Sequence, residues 1–111
     1  MTTVDIVIPF WGEPHLLYET VESVLEQSVR EWRLVILDDC YPDPSVREWF
    51  AALNDPRVTY VRHEKNLGIT ENYREAIRMA EAEYLMILGC DDLLHPNYLE
   101  LVTATISAVP C

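Results

Sequence analysis

Two apolar runs of this 111-residue chain each end on a pair of aspartates: Arg33-Leu-Val-Ile-Leu-Asp38-Asp39 and Glu83-Tyr-Leu-Met-Ile-Leu-Gly-Cys-Asp91-Asp92. Ionised carboxylates accept hydrogen bonds and are hard ligands for divalent cations. Two of them about 5 Å apart repel by about 3 kcal/mol at an effective dielectric of about 20. A cation or a set of N–H donors relieves that repulsion. Two such pairs in one chain point to a ligand and a metal.

Placing the pairs is the work of strands. Short continuous apolar runs read as strands buried on both faces, as in a parallel sheet. The carboxyl end of such a strand is where open α/β folds bind ligands. Val4-Asp-Ile-Val-Ile-Pro9 is a first strand, and Gly12-Glu-Pro14 breaks it and opens a helix with proline in the first turn. Leu17, Val21, Val24, Leu25 and Ser28 then form one stripe at spacings of three and four. Trp32–Leu37 is the second strand, Val46–Leu53 a helix with Trp49, Phe50 and Leu53 on one side, and Asn54-Asp-Pro56 closes it. Arg57–Arg62 alternates with period two, as a strand nearer an edge does. A third helix runs from about Thr70, with Tyr73, Ile77 and Ala80 aligned, and Tyr84–Leu88 is the fourth strand. His95-Pro96 opens a last helix with Leu99, Val102, Ile106 and Val109 in phase, ended by Pro110. The order βαβαβαβα implies an α/β fold: a parallel sheet of about four strands, helices on both faces and right-handed crossovers.

Composition bounds the function. One domain of this length buries roughly two thirds of its unfolded surface. Half of the residues are hydrophobic, enough for a core. The formal net charge of −11, from 19 acidic against 8 basic residues, argues against a nucleic-acid backbone or an anionic membrane surface as partner. An acidic, solvated surface explains most of that charge, and it also suits a site that recruits a divalent cation. Cys40, Cys90 and Cys111 are odd in number and lack C-x-x-C spacing, so they read as free thiols of a reducing compartment. The first residues carry no basic-then-apolar leader and no run approaches the ~20 apolar residues of a membrane span, which makes a cytoplasmic location the default.

Four polar clusters follow the four strands and therefore share one sheet edge: Pro9-Phe-Trp-Gly-Glu13, Asp38-Asp39, Asn66-Leu-Gly68 and Gly89-Cys-Asp-Asp92. Each alone is ordinary turn chemistry. Their shared edge is what makes a site. Phe10 and Trp11 both offer a face for stacking, and either also suits a core. Gly68 supplies a positive φ or a close approach. His15 and His63 have no metal-ligand spacing, and His95 before Pro96 reads as a helix cap. The aspartates beside Cys40 and Cys90 disfavour a thiolate nucleophile.

In order and over nearly its whole length, the chain resembles the N-terminal half of a family 2 glycosyltransferase of the GT-A fold. The marks are Val4–Pro9, the helix Thr20-Val-Glu-Ser-Val-Leu-Glu-Gln27-Ser, Leu-Val-Ile-Leu-Asp38-Asp39, Asn66-Leu-Gly68-Ile, and Leu-Met-Ile-Leu-Gly-Cys-Asp91-Asp92 with Pro96 and Leu99 downstream. The resemblance implies a Rossmann-like nucleotide-sugar-binding domain over 1–111, a fragment of a longer inverting transferase. Its base and acceptor site would lie in the other half, so this chain alone would bind nucleotide weakly and transfer nothing. The donor would be a nucleotide diphosphate sugar, UDP- or dTDP-linked, and the acceptor a glycan, a lipid-linked sugar or a small molecule. Pro9, Phe10, Trp11 and Glu13 match the loop that packs on the nucleobase. Asp39 matches the acid that accepts from a pyrimidine ring N–H, with Asp38 supporting it. Asn66 and Gly68 match the loop after the third strand, and Cys90 lies within the last cluster. Many members carry an arginine at the position of Tyr73; Arg74, beside it, is the candidate for a phosphate contact. The family's metal motif is Asp-x-Asp, so Asp91 and Asp92 are implied ligands of Mg²⁺ or Mn²⁺, while Gly89 stands where the first Asp does. A fragment of this kind is expected to self-associate through surfaces its other half would cover.

Three other classes compete. A phosphoacceptor receiver domain wants an Asp pair after strand one, which here ends in Pro9. A nicotinamide-binding domain wants G-x-G-x-x-G, and the three glycines are not so spaced. A non-catalytic nucleotide-binding or assembly module fits the shortened metal motif.

Overall fold

The structure, a computed structural model, describes residues 4–108, with side chains over 4–105. The expectations for the leader, Ile106, Val109, Pro110 and Cys111 lie outside the described side chains. The elements are β1 (Val4–Phe10), α1 (Pro14–Leu25), β2 (Trp32–Asp38), α2 (Ser45–Leu53), β3 (Val58–Arg62), α3 (Ile69–Arg78), β4 (Tyr84–Ile87) and α4 (Tyr98–Ala108). The strands form one parallel sheet in the order β3-β2-β1-β4. The two continuous apolar runs, β1 and β2, take the centre. The alternating β3 and the short β4 take the edges.

Strand parity divides the core. Val4, Ile6, Ile8 and Phe10 point to one face, where they pack with Leu34 and Ile36, with Leu17, Val21 and Val24 of α1, with Val46 and Phe50 of α2, and with Leu99 of α4. Val7, Val35 and Leu37 point to the other and meet Ala76 of α3. Three helices thus cover one face and one covers the other. Each fully buried aliphatic or aromatic side chain contributes about 1.5–3 kcal/mol. Among the described residues, no helix is long and apolar enough to cross a membrane.

Three local expectations change. α1 stops at Leu25, and Ser28 lies exposed beyond it, while Thr20 joins the buried stripe by bonding its hydroxyl to Leu16 O at 3.0 Å. α4 begins at Tyr98, after a turn closed by Tyr98 N–H donating to His95 O at 2.9 Å. On α3, Tyr73 and Ile77 are exposed and Ala80 lies past the helix end; Asn72 and Ala76 face the sheet instead. Asn72 faces inward because its Nδ2 donates to Leu37 O of β2 at 3.0 Å and its Oδ1 meets His63 Nε2 at 2.8 Å. A fully bonded amide can be buried where apolar periodicity predicts only carbon.

Candidate functional site

Register brings the four clusters to one end of the sheet. Phe10 is level with Asp38, Asp38 with Arg62, and Val7 with Ile87, so the segments after all four strands leave the sheet on the same side. Leu88 N–H donates to Val7 O at 2.9 Å, carrying the β4 register onward toward Gly89 and Cys90. Between these segments lies a cleft of about 430 Å³.

Its walls come from each strand in turn. Pro9, Phe10 and Trp11 line it after β1, and Asp39 after β2. Asn66, Gly68, Ile69, Asn72 and Tyr73 line it from the loop after β3 and the first turns of α3, and Gly89, Cys90 and Asp91 after β4. Ile69, Asn72 and Tyr73 were not among the candidates read from sequence. Their signal was there: they fall one, four and five residues after Gly68, on the helix face that starts at the candidate loop.

The two aspartates after β2 do different work. Asp38 is buried and turned away from the cleft; its Oδ1 accepts from Tyr41 N–H at 2.8 Å and its Oδ2 from the Tyr60 hydroxyl. Burial, with that bond to Asp38, pushes the Tyr60 phenol well above its ordinary pKa. Asp39 faces the loop after β3. Its carboxylate accepts from Leu67 N–H at 2.7 Å and Gly68 N–H at 3.0 Å, at the amino end of α3, where a negative charge is favoured. Gly68 has φ 86°, which permits this approach. Asn66 Nδ2 donates to Asp39 O at 3.2 Å, and its Oδ1 accepts from Gly68 N–H at 3.0 Å. A carboxylate offers about four lone-pair directions, so Asp39 keeps acceptor capacity beside the cleft.

Phe10 is buried, whereas Trp11 is 52% exposed, with Tyr41 meeting its ring edge-on at 5.2 Å and 72°. Between β2 and Tyr41, Cys40 takes φ 64°, a left-handed conformation strained for a residue with a Cβ. At the other end of the cleft, burial raises the Cys90 thiol pKa, and the charges of Asp91 and Asp92 raise it further. Asp91 lines the cleft; Asp92 does not, and its Oδ2 accepts from Gly89 N–H at 3.2 Å. Glu13 stands at the start of α1, exposed, with His15 3.8 Å away, and Arg74 is exposed and paired with Glu71 at 2.6 Å. The structure does not bring Glu13, Arg74 or Asp38 to the cleft. None of the lining residues is Lys, Arg or His.

Among the described residues, no group of three or more His, Cys, Asp or Glu side chains could hold a metal by itself. Asp91 nevertheless fits a hard cation of the kind held by one or two carboxylates plus substrate phosphates and water.

A family model described as glycosyl transferase family 2 matches residues 5–110. The chain is 39% identical over 110 residues to the uncharacterized protein y4gI of Sinorhizobium fredii, covering 96% of this chain and 12% of that protein. It is 33% identical over 102 residues to the putative colanic acid biosynthesis glycosyl transferase WcaA of Escherichia coli, covering 91% of this chain and 37% of that protein. The fold matches S. aureus TarS in complex with UDP at a TM-score of 0.85 and 21% identity, over 96% of this chain and 32% of that one. It also matches the mannosyltransferase PcManGT from Pyrobaculum calidifontis in complex with GDP-Man and Mn²⁺, with a TM-score of 0.77 and 25% identity, over 96% of this chain and 32% of that one. The chain therefore spans well under half the length of the relatives it matches.

Proposed function

This chain belongs to glycosyl transferase family 2, and on that premise we propose that its cleft binds the nucleotide diphosphate of a sugar donor for inverting transfer to an acceptor hydroxyl. The carrying observation is that Trp11, Asp39 and Asp91 line one cleft. Trp11 supplies a half-exposed aromatic ring for the base, Asp39 an acceptor for a base or ribose donor, and Asp91 a hard oxygen toward the diphosphate. A purine donor is as admissible as a pyrimidine one, since the mannosyltransferase relative carries GDP-Man. No described residue is assigned to the acceptor or to the base that would deprotonate it.

Charge decides how the diphosphate is held. Two carboxylates and no basic side chain line the cleft, so an anionic ligand is repelled there unless a cation comes with it. Magnesium or manganese, when bound, would offset that charge and the charge developing on the leaving diphosphate. Asp91 would hold it. The Mn²⁺ of the mannosyltransferase relative supports that choice.

Calorimetric titration with UDP and with GDP, each with and without Mn²⁺, tests the reading. Binding of at least one nucleotide is expected only with Mn²⁺, and Asp91→Ala should abolish it. Absence of binding under every condition would instead favour a non-catalytic assembly module, the reading that Gly89 in the metal motif supports.

A further inference from the structure

Position 89 breaks the metal motif, yet its backbone does not call for glycine. Gly68 has a left-handed φ and Gly89 does not. What uses the space left by the glycine is a neighbour, the tip of the exposed Asp92 side chain. A Cβ built on Gly89 would lie 2.6 Å from Asp92 Oδ2 and 3.3 Å from its Cγ. That oxygen is already engaged, accepting from Gly89 N–H at 3.2 Å, while Asp92 N–H donates back to Gly89 O at 3.2 Å. The turn 89–92 is thus closed from both sides; Gly89, Cys90 and Asp91 line the cleft, and Asp91 is the one of them that carries a carboxylate.

We propose that Asp92 is a positioning residue for Asp91 and that Gly89 is the space it requires. The idea rests on the donor-binding reading above, with Asp91 as the residue facing the diphosphate. In this arrangement the aspartate missing at 89 is exchanged for a carboxylate arriving from three residues downstream. That carboxylate fixes the turn and does not touch the ligand. What position 92 must supply is an acceptor oxygen of this reach, and its charge is secondary. Asparagine retains such an oxygen and alanine does not.

The test compares Asp92→Asn, Asp92→Ala and Gly89→Asp with the parent chain in Mn²⁺-dependent UDP and GDP titrations. Asp92→Asn should bind within about two-fold of the parent. Asp92→Ala should bind about five-fold more weakly, the size of one lost hydrogen bond. Gly89→Asp should also weaken binding, because the new side chain displaces Asp92. Asp92→Asn failing as badly as Asp92→Ala would show that the charge acts on the cation directly and overturn the proposal. Tighter binding by Gly89→Asp would overturn it too. Amide hydrogen exchange at Gly89 supplies a readout independent of the donor: protection should persist in Asp92→Asn and vanish in Asp92→Ala. Equal protection in both sinks the positioning role even if the nucleotide reading stands. Lost protection in Asp92→Ala in a parent that binds no nucleotide keeps the turn and sinks only that reading.

Discussion

Phe10 and Trp11 are consecutive aromatics with opposite environments, and the difference follows from strand parity. Phe10 continues the inward series Val4, Ile6, Ile8 and is held between the sheet and its helices. Trp11 is the first residue past the strand, and its ring remains half open beside Tyr41. Base–aromatic stacking contributes about 1–3 kcal/mol per base. Trp11→Ala should therefore weaken Mn²⁺-dependent nucleotide binding by roughly 5- to 150-fold, with little change in melting temperature. Phe10→Ala should instead cost about 3–5 kcal/mol of stability. Titration and thermal melting on the same two variants check both halves; a Trp11→Ala chain that binds as the parent does would remove the stacking role. Asp39 and Asp91, candidates read from their place after apolar strands, both line the cleft. Asp38 is expected from the sequence to support Asp39 at the same ligand, and its turn away from the cleft was not legible. It depends on Tyr60, a residue 22 positions on whose hydroxyl reaches Asp38 only once β3 lies beside β2.

Between elements, one buried amide ties α1 to the segment that carries Asp91. Gln27 is 7% exposed; its Nε2 donates to Ser23 O at 3.0 Å and His95 O at 2.7 Å, and its Oε1 accepts from Leu99 N–H at 2.9 Å. Ser28 N–H donating to Pro96 O at 2.9 Å adds a backbone tie beside it. Gln27→Leu keeps the bulk but leaves Leu99 N–H and His95 O without this partner, and each buried group stripped of its bond costs about 1–3 kcal/mol. Urea denaturation should show a loss of about 2–4 kcal/mol. A loss below about 0.5 kcal/mol, the range of an ordinary surface substitution, would mean that water or a shifted loop takes over. The existence and order of all eight elements were legible from apolar runs and proline or glycine breaks. The inner face of α3 was not, because Asn72 is held there by strand and loop partners that apolar spacing cannot register. The start of α4 was misplaced for a related reason: His95 and Pro96 belong to the turn that Gln27 holds.

For the molecule as a whole, the formal charge of −11 sets how acidity acts. Like charges repel in the compact state, so removing negative charge with acid relieves repulsion. Asp5 works in the other direction. It is fully buried in β1, directly across from Arg33 of β2, and accepts from Arg33 Nε at 3.0 Å and Nη2 at 3.1 Å and from Ala82 N–H at 2.8 Å. Burial alone would raise its pKa, but the Arg33 pair and the backbone donors outweigh it and hold the carboxyl below its ordinary value of 3.8. A carboxyl depressed in the folded state stabilises the fold above its unfolded pKa, and that contribution fades as pH falls through the folded one. Asp55, drawn down by Arg57, has the same sign. Stability should therefore hold to about pH 4 and then fall. Asp5→Asn should be less stable at pH 7, since Arg33 loses its buried anion. Its acid limb should also be shallower, by up to about 1.4 kcal/mol per pH unit, the contribution of one proton. Urea denaturation of both chains from pH 7 to pH 2.5 measures the two slopes. Parallel acid limbs would show that the loss below pH 4 comes from other carboxylates, leaving the Asp5–Arg33 pair without a part in the acid response.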